Sequence, residues 1–140
     1  MTNTRWEHFE HEADMGVRGY GNTMAEAFEQ TALAMSSVIT DINNIKTIDC
    51  INVECNAPDN EILLVDWLNE LVYQMATRRM LFSSFTVSID NHHLTAAICG
   101  EPAVPEKHQP AVEVKGATFT ELKVRQNADG SWVSQCVVDV

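Results

Sequence analysis

Asp59-Asn-Glu-Ile-Leu-Leu-Val-Asp66-Trp-Leu-Asn-Glu70-Leu-Val-Tyr-Gln-Met75 is the stretch on which the reading of the fold turns. Leu64, Trp67, Leu68, Leu71, Val72 and Met75 return at three- and four-residue steps, the spacing of one face of an α-helix. Asp59, directly after Pro58, supplies the side-chain oxygen that a helix start needs for its free N–H groups. Asp66, Asn69, Glu70 and Tyr73 fall on the opposite, polar side, as in any amphipathic helix that shows one face to water.

Upstream the period changes. Ile48 to Cys55 alternates, with Ile51, Val53 and Cys55 on one side and Cys50, Asn52 and Glu54 on the other, which predicts a half-buried strand. Before it, Thr23 followed by Glu26 forms a capping box, and Met24, Ala27, Phe28, Thr31, Met35, Val38 and Ile39 make a second helical stripe that stops near Thr40. Arg5 to Tyr20 reads as two short strands around a polar turn near Glu12-Ala13-Asp14. Downstream, Leu81 to Ile89 and Leu94 to Cys99 flank the hairpin connection Asp90-Asn91-His92-His93. A proline-rich excursion, Glu101 to Pro110, leads to a strand over Ala111 to Val124 whose alternation slips at Gly116-Ala117. Asn127-Ala-Asp-Gly130 is a turn before a last strand, Ser131 to Val140. The expected order is β-β-α-β-α-β-β-β-β in one domain over residues 1–140. This is an α+β fold with two helices packed on one face of a mainly antiparallel sheet.

Bulk composition narrows the function. At 140 residues and 45% hydrophobic, the chain builds a core without metal or disulfide staples. No run reaches the ~18 apolar residues of a membrane span, and the start has no apolar signal region, so a cytoplasmic location is expected. Cys50, Cys55, Cys99 and Cys136 contain no C-x-x-C pair and are expected as reduced thiols. Nine basic residues against 20 acidic ones give a net charge of −11. Such a chain repels RNA and needs a partner protein or a cation for any role near it.

Three places carry chemistry. Glu7-His8-Phe9-Glu10-His11-Glu12-Ala13-Asp14 holds six side chains able to ligate a metal or move a proton; as a bland alternative it is a solvated acidic strand. At the other end, Asp139 stands beside the terminal carboxylate of Val140. These are two hard oxygen donors suited to Ca²⁺ or Mg²⁺, with Asp14 a third if it lies nearby; otherwise this end is a frayed terminus. The polar side of the second helix, with Asp66 and Glu70, is either solvated or faces a partner. Lys115 is a lone cation near Glu113 and Glu121, and His108 on the proline-rich excursion is equally open. No nucleophile-plus-base motif is present.

These same places resemble the archease family. His11-Glu-Ala-Asp14-Met-Gly-Val-Arg-Gly-Tyr-Gly is similar to its opening, and Leu63-Leu-Val-Asp66-Trp67-Leu-Asn69-Glu70-Leu71 to its second-helix signature. Val114-Lys115-Gly-Ala-Thr118-Phe119 resembles its late strand, and Trp132 to Val140 its ending; Glu12, Gly116, Phe119 and Thr120 depart from the usual residues. The resemblance implies a non-catalytic accessory protein that promotes guanylylation and turnover of an RtcB-type RNA ligase in tRNA splicing or RNA repair. It implies a divalent cation, calcium before magnesium, held by Asp14, Asp139 and Val140, and a partner-facing set of His11, Asp66, Glu70 and Lys115. Stable nucleic-acid or membrane binding is not expected. The competing readings are a small metal-dependent hydrolase using His8, His11 and Asp14, and a metal-independent chaperone-like adaptor.

Overall fold

The computed structural model describes residues 4–140. Strand β1 (Arg5–His11) turns through Glu12-Ala13 into β2 (Asp14–Gly21), with Glu12 in the left-handed region at φ 53°. Helix α1 (Met24–Ile39) starts as its sequence predicts: Thr23 Oγ1 accepts from Glu26 N–H at 3.1 Å. The Glu26 carboxylate reaches back to Asn22 N–H at 3.0 Å. A single 3₁₀ turn, Ile42–Asn44, leads to β3 (Asp49–Asn56). Helix α2 (Asn60–Arg78) is capped by Asp59, whose Oδ1 accepts from Ile62 N–H at 2.8 Å, and closes on Arg79 in the left-handed region.

Strands β4 (Met80–Asp90) and β5 (His93–Pro102) form the expected hairpin. Asn91 and His92 both have positive φ, as a two-residue turn matched to strand twist requires. The short helix α3 (Pro105–His108) interrupts the proline-rich excursion. The remaining strands are β6 (Gly116–Ala117), β7 (Lys123–Gln126) and β8 (Trp132–Asp139). The strand expected over Ala111 to Val124 is therefore two short pieces. Val112, Glu113 and Lys115 are exposed while Val114 is buried, and this stretch lies outside both strands.

The α+β class and antiparallel pairing hold, but the layering differs from the expectation. There are two sheets. One runs β1-β2-β8-β6 with β7 also on β8, and the other runs β3-β5-β4. Helix α1 does not sit on one face of a single sheet. No residue from Met24 to Thr40 is exposed, because the helix is wedged between both sheets. Toward the larger sheet, Thr31 Oγ1 bonds Ser134, and β2 approaches so closely that a Cβ on Gly19 would lie 2.3 Å from the Ala27 carbonyl oxygen. Toward the smaller sheet, Glu29 Oε2 accepts from Val87 N–H at 2.7 Å, which covers part of the β4 edge. Burial pushes the Glu29 carboxyl above its ordinary value.

Helix α2 keeps the amphipathic character read from its sequence. Leu63, Leu64, Trp67, Leu68 and Leu71 are buried, and Asp66, Asn69 and Tyr73 are exposed. Fully buried Trp67 donates Nε1–H to Phe28 O at 3.1 Å and meets Phe85 edge-on. One apolar cluster links α1, α2 and both sheets. Among the described residues, no helix is long and apolar enough to cross a membrane.

The cysteine expectation is half corrected. Cys55 and Cys136 are free, and Cys50 and Cys99 are joined as a disulfide. Their strands place them directly opposite each other in the β3–β5 register, a juxtaposition that spacing along the chain does not reveal.

Candidate functional site

The larger sheet brings the β1–β2 turn beside the end of β8. Met15 pairs with Val138 on β8, and the same ladder continued by one position sets Asp14 across from Asp139. Val140 N–H donates to Asp14 Oδ1 at 3.3 Å, across 126 residues of sequence. On the other side of Asp14, the β1–β2 register places His11 opposite it. Asp139 in turn faces Gly116 on β6, and Lys115 N–H donates to the Asp139 carbonyl at 2.8 Å. His11, Asp14, Asp139 and Gly116 thus form one row across four strands.

The chemistry of this row is oxygen-rich and anionic. Among the described residues, neither Asp14 nor Asp139 forms a salt bridge, although five ion pairs occur elsewhere. No three His, Cys, Asp or Glu side chains converge as a metal-binding group among the described residues. The set that the resemblance implies, Asp14, Asp139 and Val140, would offer a cation two carboxylates and a main-chain oxygen. Two carboxylates plus a main-chain oxygen suit a hard cation that retains several waters, and they fit zinc poorly.

Helix α2 adjoins the row. Asn69, read from sequence as part of a solvated stripe, instead accepts from Ala117 N–H at 2.9 Å and holds β6 against the helix. Gly116 fits this tie closely, since a Cβ there would lie 3.2 Å from Asn69 Oδ1. Asp66 and Glu70 line a cleft of about 330 Å³ with Cys55, Asn56 and Asn69. Glu70 also accepts from Gln74 Nε2 at 2.7 Å. Burial, reinforced by the carboxylates of Glu70, Asp66 and Glu54, pushes the Cys55 thiol up to about 11. Lys115 is exposed and unpaired by any salt bridge among the described residues; it lines a second, largely apolar cleft of about 700 Å³ with Val72, Met75 and Val114.

Other members of the opening cluster have structural partners. Glu7 accepts from Arg18 Nη1 at 2.7 Å and from the Tyr20 hydroxyl at 2.8 Å, and these bonds, with Arg5, hold its carboxyl down at about 2. His8 Nε2 bonds the Ala34 carbonyl of α1 at 2.8 Å, so that nitrogen carries a proton and is not free to bind a metal. The hydrolase reading needed His8, His11 and Asp14 together; the β1–β2 register puts His11 opposite Asp14, and His8, three residues away on the same strand, points to the other face and bonds the helix.

Known proteins share this fold. The model of the Archease protein family (MTH1598/TM1083) matches residues 6–140. The chain belongs to the archease family. The protein archease of Thermococcus kodakarensis is 39% identical over 140 residues, covering 97% of this chain and 99% of the relative. That of Pyrococcus furiosus is 40% identical over 140 residues with the same coverage. The solution structure of Methanobacterium thermoautotrophicum protein 1598 superposes with a TM-score of 0.83 at 36% identity, covering 96% of this chain and 98% of that one. An archease from Thermotoga maritima, described as a possible chaperone, shares the fold at a TM-score of 0.59 and 14% identity, with 96% of each chain covered.

Proposed function

We propose that this archease-family protein is the activator of an RtcB-type RNA ligase, promoting guanylylation of the ligase and its repeated turnover in tRNA splicing or RNA repair. The observation that carries the reading is the meeting of Asp14 with the end of β8, where Val140 N–H bonds the Asp14 carboxylate. Like charges at such a site repel one another unless a cation lies between them. A divalent ion, calcium before magnesium, bound by Asp14, Asp139 and a main-chain oxygen of Val140 would supply that neutralisation. The chain's own residues do the rest. Asn69 and Lys115 N–H fix β6 beside Asp139, and His11, Asp66, Glu70 and the Lys115 ammonium offer the partner a polar face around the row. With a net charge of −11 the protein meets a basic ligase quickly and stays off free RNA. A cytoplasmic site of action goes with this role.

A ligation assay with RNA in excess over ligase tests the proposal. Added protein is expected to convert a single round of ligation into many, with a matching rise in guanylylated ligase. Turnover indifferent to its addition would remove the assignment. Stimulation that survives loss of both Asp14 and Asp139 carboxylates would favour the metal-independent adaptor instead.

A further inference from the structure

We propose that Cys50 and Cys99 form a reversible thiol–disulfide exchange site whose reactant is a low-molecular-weight thiol or its disulfide. The two cysteines are direct register partners on β3 and β5 and are bonded to each other. They lie on the outer face of the smaller sheet. Ile51, Val53 and Ile98 point to the core, while Asn52, Glu54 and Thr95 share the cysteines' face and are exposed. Cys50 is itself exposed and Cys99 half-buried, so the Cys50 sulfur is the one an incoming thiolate reaches first.

The pair's position gives the bond a consequence. It lies one rung from the open end of the β3–β5 ladder, where Asp49 faces Gly100. Just beyond, Ile48 N–H donates to Gly100 O, and Lys46 N–H donates to the Glu101 carboxylate. The disulfide therefore locks the point at which β5 runs into the proline-rich excursion. The other thiols do not compete: burial raises Cys136 to about 12 and Cys55 to about 11, which leaves both almost wholly protonated.

The exchange balances with a thiol as co-reactant. A thiolate RS⁻ attacks the Cys50 sulfur, the S–S bond breaks, and its electron pair leaves on the Cys99 sulfur, which takes up a proton. A second RS⁻ attacks the RS sulfur of the mixed disulfide and releases RSSR and the Cys50 thiolate, which is protonated in turn. Two RSH become one RSSR, and the protein gains two electrons and two protons; RSSR drives the reverse.

The test uses the full-length protein equilibrated with glutathione and glutathione disulfide over a range of ratios, then alkylated under native conditions and read by peptide mass spectrometry. A single reversible two-electron transition confined to the Cys50 and Cys99 peptides is expected. In the reduced protein Cys50 should be alkylated fastest, with Cys55 and Cys136 slower by roughly a hundred-fold or more. Cys99→Ser should trap glutathione on Cys50. Four free thiols under excess glutathione disulfide, a bond involving Cys55 or Cys136, or a Cys50–Cys99 bond that glutathione does not open in the folded protein would each overturn the proposal. All three outcomes can be read on the unmutated chain.

Discussion

Two carboxylate sites in this molecule are handled in opposite ways. Glu101 is only 6% exposed, and its Oε2 receives three donors: Lys46 N–H at 2.8 Å, Lys107 Nζ at 2.6 Å and His108 Nε2 at 3.0 Å. Buried His108 accepts from Val104 N–H on Nδ1 at 2.9 Å, so its ring is the neutral tautomer with the proton on Nε2. Two of the three donors come from α3, so the excursion supplies most of its own compensation and is stapled to the loop before β3. Thr40 adds to the staple by donating its hydroxyl to the His108 carbonyl. At the row of Asp14 and Asp139 there is no such partner among the described residues, only the Val140 N–H on the Asp14 carboxylate. The contrast teaches that this chain can neutralise a carboxylate locally where structure demands it. Asp14 and Asp139 share the lack of an ionic partner with most acidic residues; what sets them apart is that β2 and β8 carry them into one row.

The widest gap between the two sites should appear in cation titrations. Asp14→Ala with Asp139→Ala is expected to weaken calcium binding by about 100-fold or more and to abolish ligase stimulation. Isothermal titration calorimetry and the turnover assay read this directly. In the wild-type protein, calcium at about 100 times its Kd should add about 2.7 kcal/mol of stability, and the same calcium concentration should add no more than about 0.4 kcal/mol to the double variant. If calcium stabilises both proteins equally, the two sites do not differ in the way described.

The converse comes next in size. His108→Ala leaves Val104 N–H without an acceptor and Glu101 short of a donor, and should lower stability by about 1–3 kcal/mol while calcium affinity stays unchanged. Urea unfolding with and without calcium separates the two effects. Acid unfolding isolates the Glu101 site further. Its carboxyl is held at about 2, chiefly by Lys107 and then by Lys46 N–H and His108, against an ordinary 4.5. A depressed folded value contributes stability that is complete above pH 4.5 and is lost as pH falls toward 2. Glu101→Gln should therefore flatten the urea midpoint in that window; an unchanged slope would refute the pairing. Glu7, also held at about 2, should contribute to the slope that remains, as should Asp129, which Ser131 holds below its ordinary value.

A smaller effect probes the frame of the row. Gly116→Ala should shift stability by no more than about 0.5 kcal/mol, because Asn69 need move only a few tenths of an ångström. A large loss there would mean that the Asn69–Ala117 tie is more rigid than the exposed setting of Asn69 indicates.

Local physics made several features readable. The Thr23 and Asp59 caps, the α2 stripe and the turn at Asn91-His92 all depend on residues within a few positions of one another. The Ala111–Val124 strand is not continuous, which its residues do not reveal because alternation is the same whether the chain pairs with a neighbour or runs alone over the surface; ladder pairing with β8 occurs at Gly116–Ala117 and from Lys123 onward. Asn69 reads as one of the residues α2 shows to water because the amide it accepts from lies 48 residues away. The family opening and the C-terminal motif pointed to Asp14 and Asp139, but their adjacency depends on β8 lying beside β2.

What the sequence determined alone was what periodicity and short-range hydrogen bonding dictate: two capped helices, hairpin strands, an acidic surface and the candidate oxygen donors. The tertiary structure decided what depends on register between distant strands. It split the sheet in two, wedged α1 between the halves, opposed Cys50 to Cys99, committed His8 to Ala34 and set Asp14 against Val140. Strand partners carry no marker in their own residues. They are chosen by the shared burial of both faces, which exists only once the whole core has closed.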